Sequence, residues 1–81
     1  MTLRLDKYLK VSRIIKRRTL ANEACDAGKV TVNGKVARAS LEIKENDVIE
    51  IQFGAQTAKY KVLRVVEHVT KDAAAEMFQV L

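Results

Sequence analysis

The hydrophobic pattern of this chain changes period once, at Gly28, and that change limits the folds open to it. Before Gly28 the apolar residues recur at helical spacing. In Arg4–Lys10, Leu5, Tyr8 and Leu9 share one side, and Arg4, Lys7 and Lys10 fan across the other. A second helix is expected from about Arg17 to Ala27, with Leu20, Ala21, Ala24 and Ala27 inward. The first 27 residues thus read as helical, with Gly28 placed where a left-handed C-terminal residue is wanted. Ser12 and Thr19 are both candidates for the second helix's N-cap.

After Gly28 the alternation is that of strands. Val30 and Val32 flank a polar residue, and Asn33-Gly34 is the strongest short hairpin signal a sequence can carry. Val48–Phe53 alternates around Ile49, Ile51 and Phe53. Gly54–Thr57 can reverse the chain into Lys59–Val66, which is rich in β-branched residues. Lys71–Phe78 reads as a short helical turn before an extended end. The expected class is α+β: two N-terminal helices packed on a small antiparallel sheet, then a short C-terminal helical turn. With no proline, repeat or linker, residues 1–81 are expected to form one domain.

A chain of 81 residues with four aromatics has material for one core, but not for a buried catalytic pocket as well. A single cysteine, Cys25, excludes an intramolecular disulfide and fits a reducing compartment. Arg4, Asp6 and Lys7 interrupt any leader-like apolar run, and no stretch approaches the ~20 apolar residues of a membrane span. A cytoplasmic protein without membrane contact is expected.

Charge is segregated along the chain. From Arg4 to Arg38 ten basic residues face three acids, a balance of +7; from Ala39 onward five face seven, a balance of −2. Such asymmetry is the footprint of a polyanion partner. Its sharpest part is Arg13-Ile-Ile-Lys-Arg-Arg18, which puts Lys16, Arg17 and Arg18 at the start of the second helix. The macrodipole is positive there, and each cation costs ~0.3–1 kcal/mol at low ionic strength. A phosphate held by free backbone N–H groups and guanidinium forks would resolve the conflict; the bland alternative is a solvated basic surface. Arg4, Lys7 and Lys10 would form the other wall of a basic groove, with Lys29, Lys35 and Arg38 flanking the hairpin as its rim. Asn33 is expected for its positive φ, and Asp6 as a group that orients a neighbouring arginine.

Nothing points to catalysis. His68 has no nucleophile or paired carboxylate nearby in sequence, and Cys25 lies among small helix residues as a buried thiol would. No Cys/His grouping has metal-ligand spacing, and no phosphate-binding glycine loop is present. No catalytic residue, cofactor or metal is therefore expected. A helix-turn-helix reading duplex DNA stays open as an alternative, but the second helix would present Arg18, Asn22 and Asp26 outward, flanked by Glu23. Its cations cluster at one end instead, which suits backbone and shape more than a major groove. Exposed aromatics for stacking are scarce, which favours structured RNA over unpaired RNA.

The residues Arg4-Leu-Asp-Lys-Tyr-Leu9, Ser12-Arg13, Arg17-Arg18-Thr-Leu-Ala21, Ala27-Gly-Lys-Val30, Val32-Asn-Gly34 and Asp47-Val-Ile49 resemble the S4 RNA-binding domain, from Arg4 to about Phe53. Many members have Gly-Asp where this chain has Asn46-Asp47, and Asn tolerates the same left-handed turn. The run Leu9–Ala21 and the ending Ala74-Ala-Glu-Met-Phe78 are similar to the short ribosome-quality-control members, which are related to heat-shock protein fifteen. The resemblance implies a non-catalytic, monomeric factor on large ribosomal subunits that still carry peptidyl-tRNA. It would contact ribosomal RNA and tRNA and support the partner RqcH as RqcH adds an alanine tail. Arg4 and Arg18 match the family's RNA-contacting arginines; Lys7, Lys10, Arg13, Lys16, Arg17, Lys29 and Lys35 extend the site by charge. Recycling of stalled subunits in the manner of heat-shock protein fifteen, or a recognition module of an RNA-modifying enzyme, are the alternatives within the same resemblance.

Overall fold

A computed structural model describes residues 2–81. The order is β1 (Leu3–Arg4), α1 (Leu5–Val11), α2 (Arg18–Asp26), β2 (Val30–Val32), β3 (Lys35–Val36), β4 (Glu42–Ile43), β5 (Val48–Phe53), β6 (Gln56–Val62), α3 (Lys71–Ala74), a 3₁₀ turn (Ala75–Met77) and β7 (Phe78–Val80). Strands β3-β2-β5-β6-β7 form an antiparallel sheet, and β1 pairs with β4 separately. The α+β class expected from the change of period is the one observed.

The stripe of α1 is buried as its spacing requires: Leu5, Tyr8 and Leu9 have no exposed surface. Burial of side chains this size contributes roughly 1.5–3 kcal/mol each. They share one core with Ala21 and Cys25 of α2 and with Val30, Val32, Ile49, Ile51 and Val62 of the sheet. Register explains the sheet's contribution. Val30 faces Ile51 and Val32 faces Ile49, so these four lie on the covered side. Thr31, Glu50 and Lys59 align on the opposite side, where the Glu50/Lys59 cross-strand pair meets solvent.

The helical stretch is not continuous. It breaks after α1, where Ser12 is the C-cap and Arg13 adopts φ 64°. Arg13 N–H donates to the Lys10 carbonyl, Ile15 N–H to that of Leu9, and the buried Ser12 hydroxyl also donates to the Leu9 carbonyl. Ser12 thus closes the first helix and does not open the second. Thr19 lies within α2, whose N-cap is Arg17 with no side-chain cap. The inward set of α2 is also narrower than expected. Ala21 and Cys25 are buried and Ala24 is half-buried, whereas Leu20 is 48% exposed and Ala27, the C-cap, is exposed. A nine-residue helix packed on α1 and the start of the sheet buries chiefly its i, i+4 line. Phe53 is likewise exposed despite its parity, because it pairs with Gln56 at the far tip of the β5–β6 hairpin.

Two polar clasps fix the loops. Asn33, at φ 53°, donates its amide to Asp47 Oδ1 (3.1 Å) and accepts from Val48 N–H on its own Oδ1 (3.0 Å). Asp47, buried, accepts from Lys44 N–H on its other oxygen (2.9 Å). Asn33 therefore supplies both a left-handed turn and a tie between two loops; Asn46, at φ 75°, takes the second left-handed position. The other clasp runs from one end of the chain to the other: Tyr8 Oη donates to the Met77 carbonyl (2.7 Å). Leu63 and Arg64 N–H donate to the same carbonyl, so β6 ends at Val62 rather than continuing to Val66. The extended end of the chain is a true strand, paired with β6, and its Phe78 ring meets Tyr60 edge-on with centroids 5.3 Å apart.

Asn33→Gly keeps the turn but removes the clasp from a buried carboxylate. It is expected to lower unfolding free energy by about 1–3 kcal/mol; Asn33→Ala, which also resists positive φ, should cost about 1 kcal/mol more. Urea denaturation of the two variants measures both differences.

Candidate nucleic-acid interface

The site is organised around a carboxylate that the core has almost enclosed. Asp6, in the first turn of α1, is 1% exposed. It accepts from Arg4 through both oxygens (Nε 3.2 Å, Nη2 3.3 Å), from Arg18 Nε (3.3 Å), from Asn22 Nδ2 (3.4 Å) and from Lys7 N–H (2.8 Å). Burial alone would raise its pKa, but the bonds from Arg4, Arg18 and Lys7 N–H and the Arg18 charge hold it below the ordinary carboxylate value. Asp6 is therefore ionised at neutral pH and fixes two guanidinium groups, as its expected orienting role requires. Both arginine side chains stay about half exposed. Arg18 reaches Asp6 through Nε alone, so its terminal nitrogens make no bond to this carboxylate. Asn22, which a DNA-reading helix would point at a groove, is turned to Asp6 instead.

Beside this hub lies a cleft of about 520 Å³. It is lined by Lys7, Lys10, Arg13, Lys16 and Arg18 from the helical segment and by Glu67, His68 and Val69 from the connection after β6. Its volume suits a nucleotide better than a single ion. Among the described residues the ion pairs are Arg4–Asp6, Arg18–Asp6 and an exposed Arg64–Glu76, so Lys7, Lys10, Arg13 and Lys16 have no carboxylate partner. Arg13 is aimed here from a left-handed backbone position that usually goes to Gly, at a cost of about 1–2 kcal/mol. The first turn of α2 contains no acid, so its positive end opens beside these cations.

The other basic residues are distributed differently from the expected single rim. Arg17 is exposed at the N-cap of α2 and does not line the cleft. Arg4, with Asn22, Arg38 and Ser40, lines a separate cleft. Lys35 borders a third with Leu41 and Lys44, and Lys29 a fourth with Leu20 and Phe53. The hairpin cations are carried away from α1 by the sheet, a separation that charge counting along the chain does not register. Glu67 and His68 were not legible as site residues either. They sit about fifty residues from the basic cluster, and no local motif links them to it.

Catalytic features do not emerge. Burial pushes the Cys25 thiol up to about 11, with Asp6 and Asp26 adding to it, which makes a poor nucleophile. Among the described residues no cluster of His, Cys, Asp and Glu is arranged to hold a metal ion, and no helix is long and apolar enough to cross a membrane.

Two short helices on a small antiparallel sheet, with guanidinium groups fixed at their junction, define a class of RNA-binding module: the chain belongs to the S4 domain family, which it matches over residues 3–49. Within that family it is 49% identical over 79 residues to the RQC P-site tRNA stabilizing factor of Streptococcus pneumoniae, covering 98% of this chain and 90% of that one. The factor of the same name from Bacillus subtilis is 43% identical, covering 98% and 92%. The fold matches trimeric heat shock protein 15 of Vibrio cholerae with a TM-score of 0.90 at 24% identity, over all of this chain and 83% of that one.

The lowered pKa of Asp6 makes stability depend on acid. Its contribution is complete above the unfolded-state value of about 4 and is lost as pH falls through the lower native one. Asp6→Asn is expected to be less stable than the parent at pH 7 and to converge with it in acid. Urea midpoints measured from pH 7 down to about pH 2 decide this; parallel curves would show that Asp6 does not carry the linkage.

Proposed function

We propose that the chain is a non-catalytic ribosome-quality-control factor that binds P-site tRNA on obstructed large ribosomal subunits, contacting ribosomal RNA and peptidyl-tRNA. The observation that carries this reading is the cleft of four unpaired cations plus Arg18, on a chain of the S4 family that shares half its residues with P-site tRNA stabilizing factors. Lys7, Lys10, Arg13, Lys16 and Arg18 are assigned to the principal phosphate contact. Arg4 works from the adjoining cleft, and Arg17, Lys29 and Lys35 are peripheral contacts. In this reading the factor acts in the cytoplasm as a monomer and a single domain. It holds the tRNA while the partner RqcH extends the stalled chain with alanine.

The physical logic is that of positioning. Fixed guanidinium groups meet phosphates with less ordering cost than mobile ones. Lysines without partners add affinity by displacing condensed counterions, which makes binding fall steeply with salt.

Arg18 is a mixed probe because it also holds Asp6: Arg18→Ala is expected to cost about 1–3 kcal/mol of stability as well as binding. Lys10→Ala is the cleaner test. It should weaken co-sedimentation with large subunits carrying tRNA and reduce the slope of log affinity against log salt by roughly one, with the thermal midpoint unchanged. Unaltered co-sedimentation of Lys10→Ala and Arg13→Ala together would overturn the assignment of this cleft.

A further inference from the structure

The far wall of the basic cleft comes from outside the S4 segment. That segment ends at residue 49, whereas Glu67, His68 and Val69 belong to the connection between β6 and α3. This connection is tied down at both ends. Val65 is buried in the core, and Val66 and Val69 pack against it. Leu63 and Arg64 N–H donate to the Met77 carbonyl, and Thr70 caps α3 through its hydroxyl, which accepts from Ala73 N–H. Met77 in turn accepts from Tyr8, on the same helix as Lys7 and Lys10. The two segments are therefore held at a set spacing, and the connection brings Glu67 and His68 into the cleft that the cations line.

Glu67 is an odd residue to find there. It is exposed, and it shares the cleft with five cations while forming an ion pair with none of them. As a charge it repels any polyanion that enters. As an acceptor it rewards a ligand that brings a hydrogen-bond donor next to its phosphate. Along a nucleic-acid backbone that donor is the ribose 2′-hydroxyl, which RNA has and DNA lacks. A carboxylate opposite a phosphate site thus penalises both polymers and compensates only one, which is selectivity by a repulsive element.

We propose that Glu67 is a specificity-determining residue: its carboxylate accepts from a ribose 2′-hydroxyl of the RNA strand lying in the cleft, and so selects RNA against DNA. The inference rests on the reading of this cleft as the phosphate-binding site. The cations supply affinity for either polymer, and Glu67 supplies the distinction between them.

The test uses the full chain and a pair of labelled hairpins of identical sequence, one RNA and one DNA, titrated by fluorescence anisotropy at fixed salt. Glu67→Ala is expected to tighten DNA binding several-fold while RNA binding changes by less than about twofold, so the RNA preference falls about fivefold or more. Glu67→Gln removes the charge and keeps an acceptor; both polymers should tighten, and the preference for RNA should persist. If Glu67→Ala shifts RNA and DNA by the same factor, or shifts neither, Glu67 is only a solvated charge and the proposal fails. Lys10→Ala in the same titration separates the two levels. It should weaken both hairpins, and if it weakens neither, the phosphate site itself is misplaced and the role of Glu67 falls with it. Circular dichroism of each variant confirms that the fold is retained.

Discussion

The rest of the structure depends on one enclosed charge. A carboxylate at 1% exposure is costly unless its oxygens are filled with donors, and Asp6 has five such bonds. Those donors come from β1, from α1 itself and from both the first and second turns of α2. Asp6 therefore sets how the two helices meet, and it does so by holding the charged groups that the surface presents. Fold and surface charge share a single interaction here. The same bonds that keep the carboxylate ionised keep Arg4 and Arg18 in place, each lining a different cleft.

Around that hub the molecule accepts local conflict at the cleft of cations. The N-terminus of α2 carries cations where acids would stabilise it, and Arg13 occupies a left-handed position better suited to glycine. Elsewhere the chain is locally consistent: Asn33 and Asn46 take the other non-glycine positive-φ positions, which their side chains tolerate. The non-Asn member of the positive-φ set thus sits at the cleft of cations, and its left-handed backbone is held there by the surrounding turn rather than by its own preference.

Much of this was legible in the sequence because period is a local property. Leu5, Tyr8 and Leu9 announced α1, Asn33-Gly34 announced the hairpin, and Ile49 with Ile51 announced the central strand. The errors have a common origin in the limits of short elements. Leu20 and Phe53 had the right parity but lie where no partner element extends far enough to cover them. Ser12 had the right chemistry for a cap, but it closes the helix before it rather than opening the next. The basic character of the site was legible as well. Its shape was not, because the sheet carries Lys29 and Lys35 away from α1, and Glu67 and His68 arrive only when the β6–α3 connection folds back. Long-range closure of that kind leaves no trace in spacing.

The bond from Tyr8 to the Met77 carbonyl joins residues 69 positions apart. Its consequence appears during synthesis. A ribosome making this chain releases the basic helices first, yet the facing wall of the cleft cannot take its place until Met77 has cleared the exit tunnel. The Tyr8–Met77 bond therefore closes only after both helices and strands β1 to β6 have been synthesised, and the Glu67–Val69 part of the cleft is tied down no earlier.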